Sequence, residues 1–332
     1  MPLITESDYR APRWFKNRHV QTIFPTVFRR VSSIPYRRER LETPDGDFVD
    51  LDWSQCGHPR VAVLLHGLEG HSERKYMLGM VRALNAHGID TVSLNFRGCS
   101  GEPNRKLHFY HSGFTADLHT VVQHLDRMSQ YQTIDLIGFS IGGNQTLKYL
   151  GENRPALSKK IRKAVCFSVP IDLSACAKKM DEPPQAIYLK RFLRMFKEKI
   201  VQKRRQWQGA DDESLNLDGF EKIKSFFDFD NRYTAPLFGY KSAQDYYAAN
   251  SSRQFLPNIS VPTLLITALD DPFLDENCFP IELAKTHNFL HLETPRQGGH
   301  MGFVSKHAKG LYWSEARALK FLGTAPEALA QP

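Results

Sequence analysis

The sequence predicts an α/β fold with a mostly parallel, twisted sheet and helices on both faces. Three observations carry this prediction: short apolar runs alternate with helical patterns, an antiparallel hairpin precedes them, and the alternation stops over one long internal segment. Strands that alternate with helices form parallel sheets, because each crossover helix returns the chain to the same edge. Hydrophobic residues make up 41% of the 332 residues, which is enough for a sizeable core.

The first predicted strands form the hairpin. Segments 36–43 and 48–53 flank Pro44-Asp45-Gly46, which is a turn sequence. In the second segment apolar residues alternate with Asp50 and Asp52. Alternation of this kind is typical of a strand with one buried face, so we expect the aspartate face to be wet.

The elements after the hairpin alternate in type. Apolar runs without polar residues, such as 61–65, are typical of strands buried on both faces. Apolar residues three and four apart indicate helices between them. The predicted order is a strand at 61–65, a helix at 77–84 that ends near Gly88, a strand at 89–95, a helix at 118–125, strands at 134–138, 161–169, 262–268 and 289–292, and a final helix at 311–322.

Between about 172 and 254 the alternation fails, and the segment is rich in Lys, Arg, Phe and Tyr. One apolar helical stripe runs through it, formed by Leu189, Leu193, Phe196 and Ile200. We expect a helical insertion that caps the carboxyl edge of the sheet, where open α/β sheets bind ligands. Residues 1–332 are therefore predicted to form one domain, with an N-terminal extension of about 1–35 and a cap insertion of about 172–254.

The most informative motif is Gly138-Phe139-Ser140-Ile141-Gly142, which follows an apolar strand and leads into a helical segment. Strand, sharp turn and helix around Gly-x-Ser-x-Gly form the nucleophile elbow of the α/β-hydrolases, in which a strained turn exposes the serine hydroxyl. A larger residue at either glycine would collide with the neighbouring strand or helix. The pattern predicts Ser140 as a nucleophile, and an ordinary glycine-rich turn is the alternative.

A serine hydroxyl needs a base that takes its proton and an acid that orients the base. In this fold the acid and then the histidine follow the serine along the chain. Two aspartates follow the strand at 262–268, and we choose Asp271, which precedes a proline. Asp270 is the second choice, and Asp275, further down the loop, is less favoured.

His300 is the candidate base. It lies in Gln297-Gly298-Gly299-His300-Met301-Gly302, after the last predicted strand and before the last helix. We expect a flexible glycine-rich loop that lets the imidazole swing onto the serine hydroxyl. The other late histidines, His287, His291 and His307, are expected to be structural or solvated.

An oxyanion hole needs backbone N–H groups aimed at the developing charge. One is expected from Ile141, the residue after the nucleophile, and the other from Leu68 in the loop His66-Gly67-Leu68-Glu69-Gly70. His66 is expected to stabilise that loop. In the next loop, Arg97 and Glu102 are expected to brace other chain segments.

The net charge of +8 is concentrated in one run, since residues 190–205 hold eight basic residues and one acidic residue. A local excess argues against a broad nucleic-acid face. Two interpretations of the run stay open. One is a solvated cap helix whose lysine stems cover apolar surface, and the other is weak contact of an amphipathic cap helix with an anionic membrane surface.

Composition also constrains the compartment and the cofactors. The five cysteines are scattered and odd in number, which favours a reducing cytoplasm over a disulfide framework. No apolar run approaches about 18 residues, and no secretory signal precedes the first strand, so a cytoplasmic protein is expected. No Cys/His cluster has metal-ligand spacing, so we expect no metal and no cofactor.

Several stretches together resemble the YheT-like esterase branch of the α/β-hydrolases. They are His19-Val20-Gln21-Thr22, 41–50, 66–70, 96–105, 110–113, the elbow, Asp270-Asp271-Pro272-Phe273 and 298–303. The resemblance runs nearly end to end, and its long loop motifs are not shared by hydrolases in general. It implies a triad of Ser140, Asp271 and His300 and an esterase activity.

The combined prediction is a serine hydrolase that cleaves a small-molecule carboxylic ester, including acyl or lipid-like esters, through an acyl-enzyme intermediate. Thioesterase or amidase activity is an alternative. A hydrolase-fold binding protein that has lost its chemistry is another. Such proteins usually lack one member of the triad, whereas all three residue types are present here in the expected order.

Overall fold

A computed structural model describes residues 3–152, 157–207, 213–305 and 310–323. The strands are β1 (Leu3–Ile4), β2 (Arg37–Glu42), β3 (Phe48–Ser54), β4 (Arg60–Leu65), β5 (Asp90–Asn95), β6 (Thr133–Phe139), β7 (Ile161–Phe167), β8 (Thr263–Ile266) and β9 (Leu290–Glu293). The helices are α1 (Arg18–Phe28), α2 (Lys75–Asn85), α3 (Ala116–Arg127), α4 (Ile141–Gly151), α5 (Leu173–Met180), α6 (Ala186–Gln206), α7 (Phe226–Phe229), α8 (Ala235–Leu237), α9 (Ala243–Asn250), α10 (Ile281–Thr286) and α11 (Trp313–Leu322).

The strands form one sheet in the order β1-β9-β8-β7-β6-β4-β5-β3-β2. Only β3 runs antiparallel to its neighbours β2 and β5, and the other pairs are parallel. The predicted sheet is therefore confirmed. In the centre, Gly138 at the end of β6 pairs with Leu65 of β4 on one side and Cys166 of β7 on the other. This register sets the serine motif at the middle of the carboxyl edge.

Two apolar cores lie on the two faces of the sheet. Along β4, Val61, Val63 and Leu65 join one core, and Ala62 and Leu64 join the other. All five side chains are inaccessible to solvent, as expected for a strand without polar residues. Helices cover both faces and close both cores.

The expectation of a wet face on the hairpin is wrong. Asp50 and Asp52 are buried, and arginines of β2 reach over them. Arg40 contacts both carboxylate oxygens of Asp50, and Arg38 contacts both of Asp52, at 2.7–3.0 Å. Aspartate in an alternating strand is thus buried here because its charge is paired, which removes much of the cost of leaving water.

Helices α5 to α9 occupy the interval between β7 and β8, and the described residues of that interval contain no strand. Along α6, Leu189, Phe196 and Ile200 are buried, so the predicted stripe packs inward. We propose that these helices form the cap that the sequence predicts for about 172–254. In the described part of the chain, no helix combines the length and apolar composition that crossing a bilayer requires.

The predicted N-terminal extension is built into the fold. Strand β1 adds to the sheet beside β9 in parallel register. Helix α1 begins after Asn17, whose side chain accepts hydrogen bonds from the amides of His19 and Val20. The buried residues of α1 are Gln21 and Pro25, so the helix presents little apolar surface to the protein.

Arg97, in the loop after β5, braces the chain as predicted. Its guanidinium is 2% exposed and binds Asp45 at 2.7 Å, Asp47 at 3.2 Å and both carboxylate oxygens of Asp117 at 2.7 and 2.9 Å. Burial raises the pKa of Asp117 to about 6 even with Arg97 beside it. Glu102 likewise pairs with Arg40 at 2.7 Å.

Replacement Arg97→Met is expected to lower the free energy of unfolding by about 3–5 kcal/mol, because it leaves buried carboxylates without a countercharge. Urea unfolding followed by far-UV circular dichroism measures the change. The control is Arg194→Met, since Arg194 is 72% exposed and its pair with Glu198 spans 3.9 Å, and a surface pair of this kind contributes at most about 1 kcal/mol. Equal losses in the two variants would contradict the assigned role of Arg97.

Candidate active site

Ser140 occupies a strained turn between β6 and α4. Its backbone has φ 52° and ψ −120°, a conformation that non-glycine residues rarely adopt. A Cβ atom at Gly138 would lie 2.5 Å from the Cα of Gly143, and one at Gly142 would lie 2.5 Å from the carbonyl oxygens of Leu65 and His66. Both flanks therefore have the close backbone contacts expected of an elbow.

A chain of contacts joins three buried side chains at this edge. His300 Nε2 lies 3.0 Å from Ser140 Oγ, and His300 Nδ1 lies 3.0 and 3.1 Å from the two carboxylate oxygens of Asp271. The backbone amide of Phe273 donates a hydrogen bond to Asp271 Oδ1 at 2.9 Å, which holds the carboxylate. The Phe273 ring packs on the imidazole with a centroid separation of 4.3 Å. This arrangement can carry a proton from the hydroxyl to the imidazole.

Asp270 has a different role in the same loop. Its Oδ1 accepts a hydrogen bond from the amide of Gly299 at 2.9 Å, so it supports the histidine loop without touching the imidazole. Asp275 accepts a hydrogen bond from the amide of Asn277 within its own turn. The structure thus brings Asp271, and neither of the other two aspartates, to His300.

The other histidines do not join the constellation. His287 Nδ1 accepts hydrogen bonds from the amides of Phe289 and Leu290, which is a structural role at the start of β9. His291 lies in β9 against the Phe321 ring. His307 lies outside the described residues. Within the described ranges no group of three or more His, Cys, Asp or Glu side chains is arranged to hold a metal ion.

The histidine loop is held by the N-terminal segment, a role that periodicity alone did not reveal. The amide of His300 donates to Thr22 Oγ1 at 3.0 Å. A Cβ atom at Gly299 would lie 2.5 Å from the carbonyl oxygen of Arg18, and one at Gly302 would collide with the carbonyl oxygen of Gln21. The glycines permit backbone contact with α1. The imidazole itself lies at hydrogen-bond distance from the serine hydroxyl.

Gln21 is the centre of this support. It is fully buried, and its Oε1 accepts a hydrogen bond from the amide of Val304 at 2.9 Å. Its Nε2 donates to the hydroxyl of Tyr9 at 2.7 Å and to the carbonyl of Phe15 at 2.8 Å. Tyr9 in turn donates to the carbonyl of Val304 at 2.9 Å. The sequence signal was the stretch His19-Val20-Gln21-Thr22, whose role the pattern itself did not reveal.

The loop after β4 lies against the serine, since a Cβ atom at Gly67 would lie 3.3 Å from the Cβ of Ser140. Three amides of this loop already donate hydrogen bonds: Gly67 to the Tyr76 hydroxyl, Glu69 to the Tyr110 hydroxyl and Gly70 to the Gly67 carbonyl. The fourth amide of this stretch, that of Leu68, has no acceptor among the described residues. Leu68 and Ile141 line the same cavity as Ser140.

His66 stabilises this loop, as the sequence predicts. It is fully buried, its Nε2 accepts a hydrogen bond from the amide of Phe96 at 3.1 Å, and its Nδ1 lies 2.7 Å from the carbonyl of Gly67. Burial lowers the pKa of His66 to about 3. The ring is therefore neutral at ordinary pH and acts as a brace.

Two lysines of the basic run point into the protein, which the sequence did not predict. Lys199 Nζ lies 2.7 Å from Glu69 Oε1, and both side chains are nearly buried. The Tyr110 hydroxyl donates to the same carboxylate at 2.7 Å. Lys203 is buried, and its Nζ donates to the carbonyl of Lys106 at 2.8 Å and to Asn104 Oδ1 at 3.0 Å. Helix α6 is thus fastened to the loops that follow β4 and β5.

Neither interpretation of the run holds for the whole helix. The remaining cations of α6 are largely exposed, as in a solvated helix. The apolar stripe, however, packs inward, and the large apolar residue that α6 exposes most is Ile187 in its first turn.

A cavity of about 370 Å³ opens beside Ser140 and His300. Its volume lies in the range of small-molecule sites. Most of its walls are apolar. They come from the helices between β7 and β8, from α1 and from the loops after β4 and β8, and they include Leu68, Ile23, Val27, Leu173, Met180, Phe192, Met195, Phe196, Phe226 and Phe273.

The fold and this geometry define a class of proteins. A family model described as alpha/beta hydrolase fold matches residues 61–306. The chain belongs to the α/β-hydrolase family. Its relatives include proteins named as esterases and lipases, which supports an ester hydrolase in general terms.

Among these relatives is the Escherichia coli (strain K12) protein named Putative esterase YheT, which is 35% identical over 98% of this chain and 95% of its own length. The resemblance to the YheT-like branch is confirmed. Phospholipase ABHD3 of Homo sapiens is 30% identical over 91% of this chain and 75% of its own length. A solved structure of the Pyrococcus furiosus esterase PF2001 superposes with a TM-score of 0.57 at 18% identity, over 86% of this chain and 90% of that chain, and shows the same fold.

Replacement Thr22→Val is expected to slow covalent labelling of Ser140 by a fluorophosphonate about fivefold, because losing the acceptor for the His300 amide costs about 1 kcal/mol. Labelling is followed by intact-protein mass spectrometry. Thr120→Val is the matched control, since Thr120 also donates to the carbonyl four residues earlier but lies exposed on α3. Wild-type labelling of Thr22→Val would show that α1 does not position the base.

Proposed function

We propose that this protein is a serine hydrolase that cleaves carboxylic esters through an acyl-enzyme intermediate. The observation that carries the proposal is the continuous set of contacts from Asp271 through His300 to Ser140, all three buried at the carboxyl edge of the sheet. The order of these residues along the chain and the strained serine turn agree with that chemistry.

In the proposed reaction, Ser140 Oγ attacks the ester carbonyl carbon while His300 Nε2 takes the hydroxyl proton. Asp271 holds the other imidazole nitrogen and stabilises the imidazolium. The backbone N–H groups of Ile141 and Leu68 bind the oxyanion. The intermediate collapses, and the alcohol leaves with the proton from His300. Water, deprotonated by His300, then attacks the acyl-serine. As the bond to Ser140 Oγ breaks, His300 returns the proton to that oxygen and the carboxylic acid is released.

The proposed substrate class is a small-molecule ester with an apolar acyl chain. The cavity beside Ser140 is lined largely by aliphatic and aromatic side chains, which stabilise hydrocarbon and offer few partners to a polar acyl group. The names Phospholipase ABHD3 and Monoacylglycerol lipase, carried by two relatives, agree with an acyl ester. Thioesters and amides use the same nucleophile and oxyanion hole, so they are the competing substrates for the assay.

Replacement Ser140→Ala is expected to reduce hydrolysis of a p-nitrophenyl acyl ester by about three or more orders of magnitude, because the nucleophile is lost. The release of p-nitrophenolate measures the rate. Ser174→Ala is the control, since Ser174 lies on α5 and its hydroxyl contacts Gln244. Retention of wild-type turnover by Ser140→Ala would refute the mechanism and leave a binding function.

The paired replacements Asp271→Asn and Asp270→Asn separate the acid from its neighbour. Asp271→Asn is expected to lower kcat by about three to four orders of magnitude, because the amide cannot stabilise the imidazolium. Asp270→Asn keeps an acceptor for the Gly299 amide and is expected to retain most of the activity. The same esterase assay decides between them, and the reverse ranking would move the acid to Asp270.

A further inference from the structure

Helix α1 turns its polar side toward the protein and its apolar side toward solvent. Gln21, which is buried, and Thr22 contact the histidine loop. The opposite side exposes large apolar residues at helical spacing, in contrast to ordinary surface helices. The exposed fractions are 40% for Val20, 38% for Ile23, 60% for Val27 and 64% for Phe28.

The exposed surface continues beyond the helix. Trp14, just before α1, is 86% exposed, and Ile187 at the start of α6 is 67% exposed. The start of α6 lies beside α1, because Tyr188 contacts His19 of α1, with 3.1 Å between the hydroxyl and the imidazole Nδ1. We call Trp14, Val20, Ile23, Val27 and Phe28 the α1 patch. Single exposed apolar residues need no explanation, but a contiguous group marks an interaction surface.

The α1 patch is surrounded by positive charge. Residues 9–30 contain six basic residues and no acidic residue, so this segment is locally basic although the chain outside 190–205 is nearly balanced in net charge. Arg13, Lys16 and Arg30 are exposed beside the apolar residues, and Lys190 and Arg191 are exposed on α6. A second copy of the chain would bring an equally basic surface, and the two would repel each other.

The patch also borders the candidate active site. Ile23 and Val27 are partly exposed and at the same time line the cavity that contains Ser140 and His300. Arg191 lines that cavity as well. The apolar surface and the cavity therefore share Ile23 and Val27.

We propose that the α1 patch docks on the surface of an anionic lipid bilayer, with Trp14 and Phe28 entering the interface. A helix with one apolar face and cationic flanks binds at such interfaces through buried apolar area and attraction to anionic lipid. The proposed membrane contact is made by α1 and not by the apolar stripe of α6, because that stripe is buried. The docking itself does not depend on the proposed function. Its consequence, the entry of an acyl ester from the bilayer, does rest on that function.

The test uses the full chain carrying Ser140→Ala, so that binding is measured without hydrolysis. Flotation with vesicles of phosphatidylcholine alone and of phosphatidylcholine with about 30% phosphatidylglycerol gives the bound fraction at low and high salt. Three double variants are compared in that background: Trp14→Ala with Phe28→Ser, Arg13→Gln with Lys16→Gln, and the control Phe227→Ser with Phe289→Ser. Phe227 and Phe289 are 43% and 38% exposed and lie outside the patch.

We expect binding to the anionic vesicles that is lost at high salt. Each cation near an anionic surface raises the binding constant about fivefold, so Arg13→Gln with Lys16→Gln is expected to weaken binding about 25-fold. The Trp14 and Phe28 variant is expected to lose binding, and the control is expected to keep it. Two results overturn the proposal: equal binding by patch and control variants, including none at all, or a dimer in light scattering that only the patch variants dissociate. Because Ser140→Ala binds without hydrolysing, failure of docking and failure of the esterase assay are distinguishable.

Discussion

The left-handed backbone of Ser140 is the constraint on which the site depends. A positive φ at a non-glycine residue costs about 1–3 kcal/mol, so the surroundings must enforce it. Close backbone packing holds this conformation. At Gly138 and Gly142 there is no room for a Cβ atom between β6, α4 and the end of β4. The Ser140 amide also donates to the Phe167 carbonyl at 2.9 Å, which fixes the turn to β7. Because β6 lies between β4 and β7, this turn places the serine hydroxyl at the middle of the carboxyl edge.

Bringing His300 to that hydroxyl requires contacts between distant parts of the chain. Ser140 and His300 are 160 residues apart in sequence, and the α1 side chains that hold the histidine loop are almost 280 residues from it. Closing so long a loop costs only slightly more entropy than closing a shorter one, because the cost grows logarithmically. The N-terminal segment thus serves as part of the site, and glycines at 299 and 302 allow its backbone to approach.

Sequence patterns predicted the features that depend on local chemistry. The strands and helices of the central sheet, the serine turn and the order of the aspartate and the histidine follow from spacing and from short motifs, whereas β1, α1 and α10 were not predicted. Patterns did not predict which charges are buried. The alternation of Val49, Asp50 and Leu51 is the same for a wet strand and for one whose carboxylates are paired with arginines of the next strand. Lys199 and Lys203 likewise look solvated until the loops they bind are placed beside them. Which side chain pairs with a given charge depends on the tertiary structure, and the periodicity of apolar residues does not predict it.

The contacts of α6 determine where a substrate can enter. The pair between Lys199 and Glu69 is nearly buried, with 2.7 Å between Nζ and Oε1. Glu69 follows Leu68, so lifting α6 would also disturb the proposed oxyanion hole. Substrate entry by lifting α6 would therefore disrupt the proposed active site. On the side of the cavity bordered by Ile23 and Val27, no ion pair joins α1 to α6 among the residues that the structure describes, and the two side chains are apolar and partly exposed. Entry past α1 leaves the Lys199 contact intact, and it is the route that the α1 patch surrounds.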